Sequence, residues 1–104
     1  MSTIPELAIK VLSGSGAGRI FRLGESAFIG SGPPCEIRLG DPGIAAMHAR
    51  VSLRGDAYTI VDLADAPGIR VNQRLVKSRK LALHDRITIA DVAMEVVEAG
   101  AAGA

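Results

Sequence analysis

Two histidines, one cysteine and several serines are the side chains of this sequence with the greatest capacity for chemistry. A histidine can act as a general base or bind a metal, and a cysteine can be a nucleophile or a thiolate ligand. Such roles need partner groups at suitable spacing, and neither His48 nor Cys35 lies in a metal-ligand or nucleophile-elbow pattern. The sequence therefore predicts no enzyme activity, no metal site, no cofactor and no small-molecule substrate.

A glycine-rich segment at 13–18, SGSGAG, is the other candidate for chemistry, because glycine-rich loops can cradle phosphates. No Gly-Lys-Ser/Thr follows this segment, and no helical pattern begins after it. A tight turn between two strands is the simpler interpretation of these glycines.

Length and charge limit the remaining possibilities. The 104 residues are 48% hydrophobic and carry 12 Lys and Arg against 11 Asp and Glu, a net charge of +1. This predicts one domain with its own core and gives no broad positive potential for nucleic acid or an anionic membrane. The lone Cys35 favours a reducing compartment, and neither an apolar run of membrane-spanning length nor a signal-peptide pattern is present.

The fold class follows from short segments in which apolar and polar residues alternate. Turn-forming residues separate these segments about every ten residues, as in an antiparallel β-sandwich. We expect an all-β sandwich of two antiparallel sheets with about eight to eleven short strands. The predicted strands are 8–12, 19–23, 27–30, 37–39, 49–54, 57–62, 69–71, 86–89 and 92–97.

The stretch 28–48, FIGSGPPCEIRLGDPGIAAMH, resembles the binding loops of the forkhead-associated (FHA) domain, a small β-sandwich. Two later segments, DLADAPGIRVNQ at 62–73 and LALHDRITIA at 81–90, are similar to further FHA motifs in the same order. The resemblance covers about residues 8–97 and implies an FHA-like sandwich. We assign 1–98 to this domain and 99–104, AGAAGA, to an Ala/Gly-rich linker from a longer protein.

Phosphothreonine recognition in FHA domains uses an arginine, hydroxyl groups and an asparagine, and the resemblance implies where these should lie. Their positions, with that of a frequently basic neighbour, hold Ser31, Ala45, Ala46, Ala66 and Pro67. Because only Ser31 keeps a hydrogen-bonding side chain, we expect protein binding that does not depend on phosphate.

The resemblance also implies structural roles for Gly30, His48 and Gly68. His84 stands where the family has a glycine, so we expect a left-handed backbone there, which histidine tolerates.

The replacements are similar to one FHA-like group, the cytoplasmic N-terminal domain of the type III secretion inner-membrane ring protein (SctD/YscD family). Its loops commonly read Gly-Ser and Ile-Ala-x-x-His, as at 30–31 and 44–48 here. The resemblance implies a domain on the cytosolic face of the inner membrane, anchored by a downstream segment. It would self-associate in a ring and dock the cytoplasmic sorting platform. The protein-binding surface would include Ser31, Arg38, Asp41, Ala45, Ala46, Asp65, Ala66, Pro67 and Arg70.

Two alternatives remain open at this point. The chain could be a degenerate FHA module for docking or dimerisation in a bacterial cytoplasmic regulator. It could also bind phosphothreonine peptides in an unusual way through displaced arginines, for which Arg19, Arg54 and Arg70 are candidates.

Overall fold

The computed structural model describes residues 7–55, 57–64 and 68–98. These residues form eleven strands and no helix, so none of them forms a helix that could cross a membrane. The strands are β1 Leu7–Val11, β2 Ile20–Arg22, β3 Ser26–Gly30, β4 Ile37–Arg38, β5 Ala49–Arg54, β6 Ala57–Asp62, β7 Ile69–Val71, β8 Arg74–Val76, β9 Ser78–Leu81, β10 Arg86–Ile89 and β11 Val92–Glu98.

Two sheets pack face to face, which confirms the predicted all-β sandwich. One has six strands in the order β2-β1-β11-β10-β7-β8, and the other has five in the order β4-β3-β5-β6-β9. The pairings are antiparallel except that of β3 with β4, which is parallel and pairs Ile29 with Ile37. A parallel pair was not expected from the sequence.

The core explains why the alternating segments became strands. Every second side chain faces the opposite sheet: in β11, for example, Val92, Met94 and Val96 are fully buried while the residues between them are partly exposed. Burying one such side chain contributes about 1.5–3 kcal/mol. The imidazole of His48 is fully buried, and the side chain of Asp62 is only 1% exposed.

Nine of the eleven strands coincide with segments predicted from the sequence, whereas β8 and β9 were not predicted. Both are edge strands, one in each sheet. The segment between the β7–β8 turn and Leu81 links the two sheets and carries charged residues at irregular intervals. An edge strand buries little of its surface, so its sequence need not alternate.

Several turns require a left-handed backbone. His84 has φ 73°, which confirms the conformation expected there. The β7–β8 turn, Asn72 and Gln73, has φ 52° and 72°, as in a type I′ hairpin. Gly14 and Gly18, with φ 88° and 91°, shape the β1–β2 turn, as expected of the segment SGSGAG.

Strand directions place the connections at two ends of the sandwich. One end carries the β1–β2, β3–β4, β4–β5, β6–β7 and β10–β11 connections, and we call it the loop end. The β5–β6, β7–β8 and β9–β10 connections lie at the opposite end.

Candidate protein-interaction site

The β3–β4 and β4–β5 loops are held together at the loop end by their backbones. The amide of Ser31 donates to the carbonyl of Ala45 at 3.0 Å, and the amide of Gly32 donates to that of Ala46 at 3.0 Å. These two backbone hydrogen bonds join loops that are otherwise irregular, much as hydrogen bonds join neighbouring strands of a sheet. They fix the position of Ala45 and Ala46 without any contribution from those side chains.

His48 ties three segments to this frame. Its Nδ1 accepts a hydrogen bond from the amide of Ala45 at 3.0 Å, its own amide donates to Ile29 in β3, and its carbonyl accepts from Leu63 after β6. Because Nδ1 accepts, the neutral ring carries its proton on Nε2. That Nε2 is buried and has no hydrogen-bond partner among the described residues. These bonds join His48 to the β4–β5 loop, to β3 and to the segment after β6.

Gly30 ends β3 and lies close to the backbone of Ala45 and Ala46. It is buried, and a Cβ on it would meet the Ala46 carbonyl oxygen and lie 2.8 Å from that of Ala45. Neither carbonyl oxygen can move away without weakening a hydrogen bond, because each accepts one from the amide of Ser31 or Gly32. A residue without a side chain is required here for close backbone approach rather than for its φ angle.

Ser31, the only predicted phosphate-position residue that keeps a hydroxyl, uses it internally. Its Oγ donates to the carbonyl of Ile44 at 3.1 Å. The carbonyl of Ser31 accepts a bond from Nε of Arg38 at 3.1 Å, so the exposed guanidinium lies against this loop. The pair stabilises the β3–β4 loop, and the other N–H groups of Arg38 bond to none of the described residues.

Cys35 packs under the same loops. Its Sγ lies 3.1 Å from the carbonyl oxygen of Ala46 and 3.7 Å from Sδ of Met47. Burial raises the pKa of the Cys35 thiol above its ordinary value, which opposes formation of a reactive thiolate. No group of three or more His, Cys, Asp or Glu side chains in the described part of the chain could hold a metal ion.

Two carboxylates of the β3–β4 and β4–β5 loops are engaged within the domain. Asp41 accepts bonds from the amide and hydroxyl of Ser15 at 2.9 and 2.8 Å, fastening the β4–β5 loop to the β1–β2 turn. Glu36 accepts the amide of Phe28 at 2.8 Å, and this bond lowers the pKa of the Glu36 carboxyl. Both residues therefore stabilise loops, a role that the sequence did not indicate for Asp41.

The β6–β7 connection completes the loop end. Asp62 accepts the amide of Ala64 at 3.0 Å and forms an ion pair with Lys77 at 3.7 Å. Gly68 is buried with φ 87° and leads into β7, where Arg70 is exposed. Arg70 pairs with Leu75 and Thr88 on the outer face of the six-stranded sheet.

The predicted site residues thus divide into groups. The structure brings together Gly30, Ser31, Arg38, Ala45, Ala46 and His48. Asp41 belongs to the neighbouring β1–β2 contact, and Arg70 lies on a sheet face. Asp65, Ala66 and Pro67 lie outside the described residues.

Two residues that the sequence did not single out also contribute to this surface. Leu63 is 45% exposed, although its amide is bonded to His48. Met47, next to His48 in the chain, is half-buried beside Cys35. The only sequence signal for either was an apolar residue in a loop otherwise rich in polar and small residues.

FHA domains are among the solved structures with similar folds. One, from a study of phosphothreonine-dependent FHA domain interactions, is 29% identical with a TM-score of 0.81, over 88% of this chain and 95% of that chain. The FhaA FHA domain, solved with the intracellular domain of Rv3910, is 30% identical with a TM-score of 0.79, over 86% and 98%. The FHA domain of CT664 from Chlamydia trachomatis, at 24% identity and a TM-score of 0.83 over 89% and 97%, is similar in fold.

A comparison with curated proteins found no match. A family model described as the cytoplasmic domain of the inner-membrane component of the type III secretion system matches residues 10–100, which is nearly the whole sandwich. FHA domains and the domains of this family are protein-interaction modules. With its FHA fold, the chain belongs to the family of cytoplasmic domains of the type III secretion inner-membrane component.

Proposed function

We propose that this domain docks proteins through its loop end without requiring a phosphorylated residue. It would act on the cytosolic face of the inner membrane, where copies assemble in a ring and bind the cytoplasmic sorting platform. Membership of the family supports a location beside the inner membrane. Phosphate-independent docking is supported by the residues of the loops themselves. At the described positions where FHA domains contact phosphate, the hydroxyl of Ser31 is bonded to Ile44, and Ala45 has no polar side chain.

The energetic consequence is large. A micromolar complex is worth about 8 kcal/mol, and each charge-assisted hydrogen bond to a phosphate contributes roughly 1.5–3 kcal/mol. Losing the guanidinium at 31 and the hydroxyl at 45 therefore removes a large part of such an affinity. The amide of Ala45 does not replace them, since it already donates to His48.

A titration with a phosphothreonine peptide library tests the first half of the proposal. We expect no sequence-selective binding tighter than about 100 μM, which corresponds to roughly 5.5 kcal/mol. Tighter selective binding that is lost with the unphosphorylated peptides would contradict phosphate independence. Such a result would favour phosphothreonine-dependent binding, as in the FHA domain of the similar structure.

Capture from secretion-competent cells tests docking. Ala46 is exposed, and its backbone holds the loop, so Ala46→Arg adds bulk and charge at the surface with little effect on the core. The matched control is Ala82→Arg, an exposed alanine after β9 at the opposite end. We expect Ala46→Arg to abolish crosslinking to sorting-platform components and Ala82→Arg to preserve it; equal crosslinking by both would contradict docking through the loop end.

Ring formation needs a separate measurement, because the membrane and the rest of the protein would bring copies together. The isolated domain should sediment as a monomer or a weak oligomer at micromolar concentration. A tight closed ring of the isolated domain would refute this part of the proposal.

A further inference from the structure

An apolar surface lies at the loop end, and we call it the apolar loop patch. Its residues have no charged group and contact solvent wholly or in part: Pro33, Pro34, Ala46, Met47 and Leu63. Leu63 exposes 45% of its surface, although it follows a strand whose core-facing residues are covered. The backbone bonds of Gly32 to Ala46 and of Leu63 to His48 place these segments side by side. The patch is therefore held by the fold and does not need a partner to form.

The charges around the patch are unequal. Glu36, Asp41 and Asp62 all accept hydrogen bonds from groups of this domain. Arg38, in contrast, donates its Nε to a carbonyl and forms no ion pair with a carboxylate in the described part of the chain. The guanidinium of Arg38 thus has no carboxylate partner among the described residues, whereas the three carboxylates accept hydrogen bonds from backbone amides and Asp62 also pairs with Lys77.

We propose that the occupant of the loop end is an unphosphorylated segment of a partner protein in which apolar side chains flank an aspartate or glutamate. This inference rests on the proposed docking function and adds the chemistry of the partner. The apolar side chains would cover Met47 and Leu63, and the carboxylate would accept bonds from the free N–H groups of Arg38. A single guanidinium suits a carboxylate, which carries one charge, better than a phosphate dianion, which needs several donors.

Peptide pools with a fixed central residue test this chemistry directly. Five immobilised pools would carry Asp, Glu, Asn, Thr or phosphothreonine at the centre, with random residues around it, and would be incubated with the labelled domain. We expect the Asp and Glu pools to retain at least about fivefold more domain than the Asn pool, with retained sequences enriched in Leu, Ile, Val or Phe. The preference should fall as salt rises from 0.1 to about 0.5 M, because the ion pair is exposed.

Variants assign the effect to the patch. Arg38→Gln should remove the preference for acidic pools, and Leu63→Ser should remove the enrichment for apolar residues. Arg38→Lys should keep most of the acidic preference, because the cation remains although the fork geometry is lost. Arg54→Gln, which changes an exposed arginine at the opposite end, is the matched control and should change neither.

Several results would overturn the inference. These are equal retention by the Asp and Asn pools, retention by the phosphothreonine pool alone, or the same binding by Arg38→Gln and Arg54→Gln. Self-association that Arg38→Gln abolishes would identify a second copy as the occupant and would equally refute it. If Ala46→Arg abolishes capture from cells while Arg38→Gln and Leu63→Ser do not, docking at the loop end stands and only the inferred chemistry fails. If Ala46→Arg has no effect on capture, docking itself fails.

Discussion

Replacing Gly30 by alanine should destabilise the domain strongly, although the change adds one methyl group. The new Cβ would lie 2.8 Å from the carbonyl oxygen of Ala45 and in still closer contact with that of Ala46. Real Cβ atoms do not approach oxygen so closely, so one of the two loops must move. Each carbonyl is held by an amide of the facing loop at 3.0 Å, and any movement that relieves the clash lengthens those bonds.

The magnitude follows from these two costs. Inserting a methyl group into a packed site costs typically 1–3 kcal/mol. Weakening one or two backbone hydrogen bonds adds roughly 0.5–1.5 kcal/mol each. We therefore expect Gly30→Ala to lower the free energy of unfolding by about 2–4 kcal/mol, which is a large fraction of the total stability of a domain of this size.

Urea unfolding measures this loss, and Gly24→Ala provides the matched control. A Cβ at Gly24 would meet nothing within 4 Å, and neither Gly24 nor Gly30 has a positive φ. Gly24→Ala should therefore be neutral or stabilising by about 0.4–1 kcal/mol through the unfolded chain. A free energy of unfolding for Gly30→Ala within about 0.5 kcal/mol of the wild-type value would contradict a clash at this position. Amide NMR shifts of Gly30→Ala should differ most at Ala45, Ala46 and their bonded partners.

Three further predictions follow from local features. Gln73→Gly should raise the melting temperature by roughly 4–8 °C, because φ 72° costs glutamine about 1 kcal/mol that glycine avoids; an unchanged melting temperature would show that the turn is unstrained. The bond from Phe28 lowers the pKa of Glu36, so its stabilisation exists above the unfolded value near 4.5 and is lost as pH falls through the folded value. The stability difference between wild type and Glu36→Gln should therefore shrink from pH 7 to 3 in urea unfolding, and a constant difference would contradict that linkage. Burial raises the pKa of Cys35, so a disulfide reagent at pH 8 should modify it at least roughly tenfold more slowly in folded than in unfolded protein. Equal rates would mean that the thiol is accessible.

The fold was predictable where the two sheets face each other. Strands such as β10 and β11 alternate cleanly because one face of each is buried, as Ile87, Ile89 and Met94 show. The strands β8 and β9 lie at edges, and in β8 even Leu75 is 66% exposed. The burial that creates an alternating pattern is missing there, so the pattern could not reveal them.

The hydrogen bonds that connect the loops of the candidate site could not be predicted from the sequence. The resemblance to FHA motifs implied structural roles for Gly30 and His48. The hydrogen bond from Ala45 to Nδ1 of His48, however, depends on the path of the loop and leaves no trace in residue types. The bond between Ser15 and Asp41 spans 26 positions of the chain and depends on how two loops meet, which local pattern cannot supply.

The way in which the loops are held explains how this domain can lack the phosphate-binding groups and still keep the FHA fold. Ser31, Ala45 and Ala46 are fixed through backbone amides and carbonyls, and the buried ring of His48 also acts on a backbone amide. The side chain of Ala46 takes no part in those bonds, and the hydroxyl of Ser31 adds one more bond to the backbone. The exposed side chain at position 46 can therefore change with little effect on stability, whereas replacing Gly30 or His48 would disturb those backbone bonds. We therefore expect the free energy of unfolding of Ala46→Arg to lie within about 0.5 kcal/mol of the wild-type value, the usual range for surface substitutions. If Ala46→Arg then fails to crosslink to sorting-platform components, the cause is a changed docking surface and not unfolding of the domain.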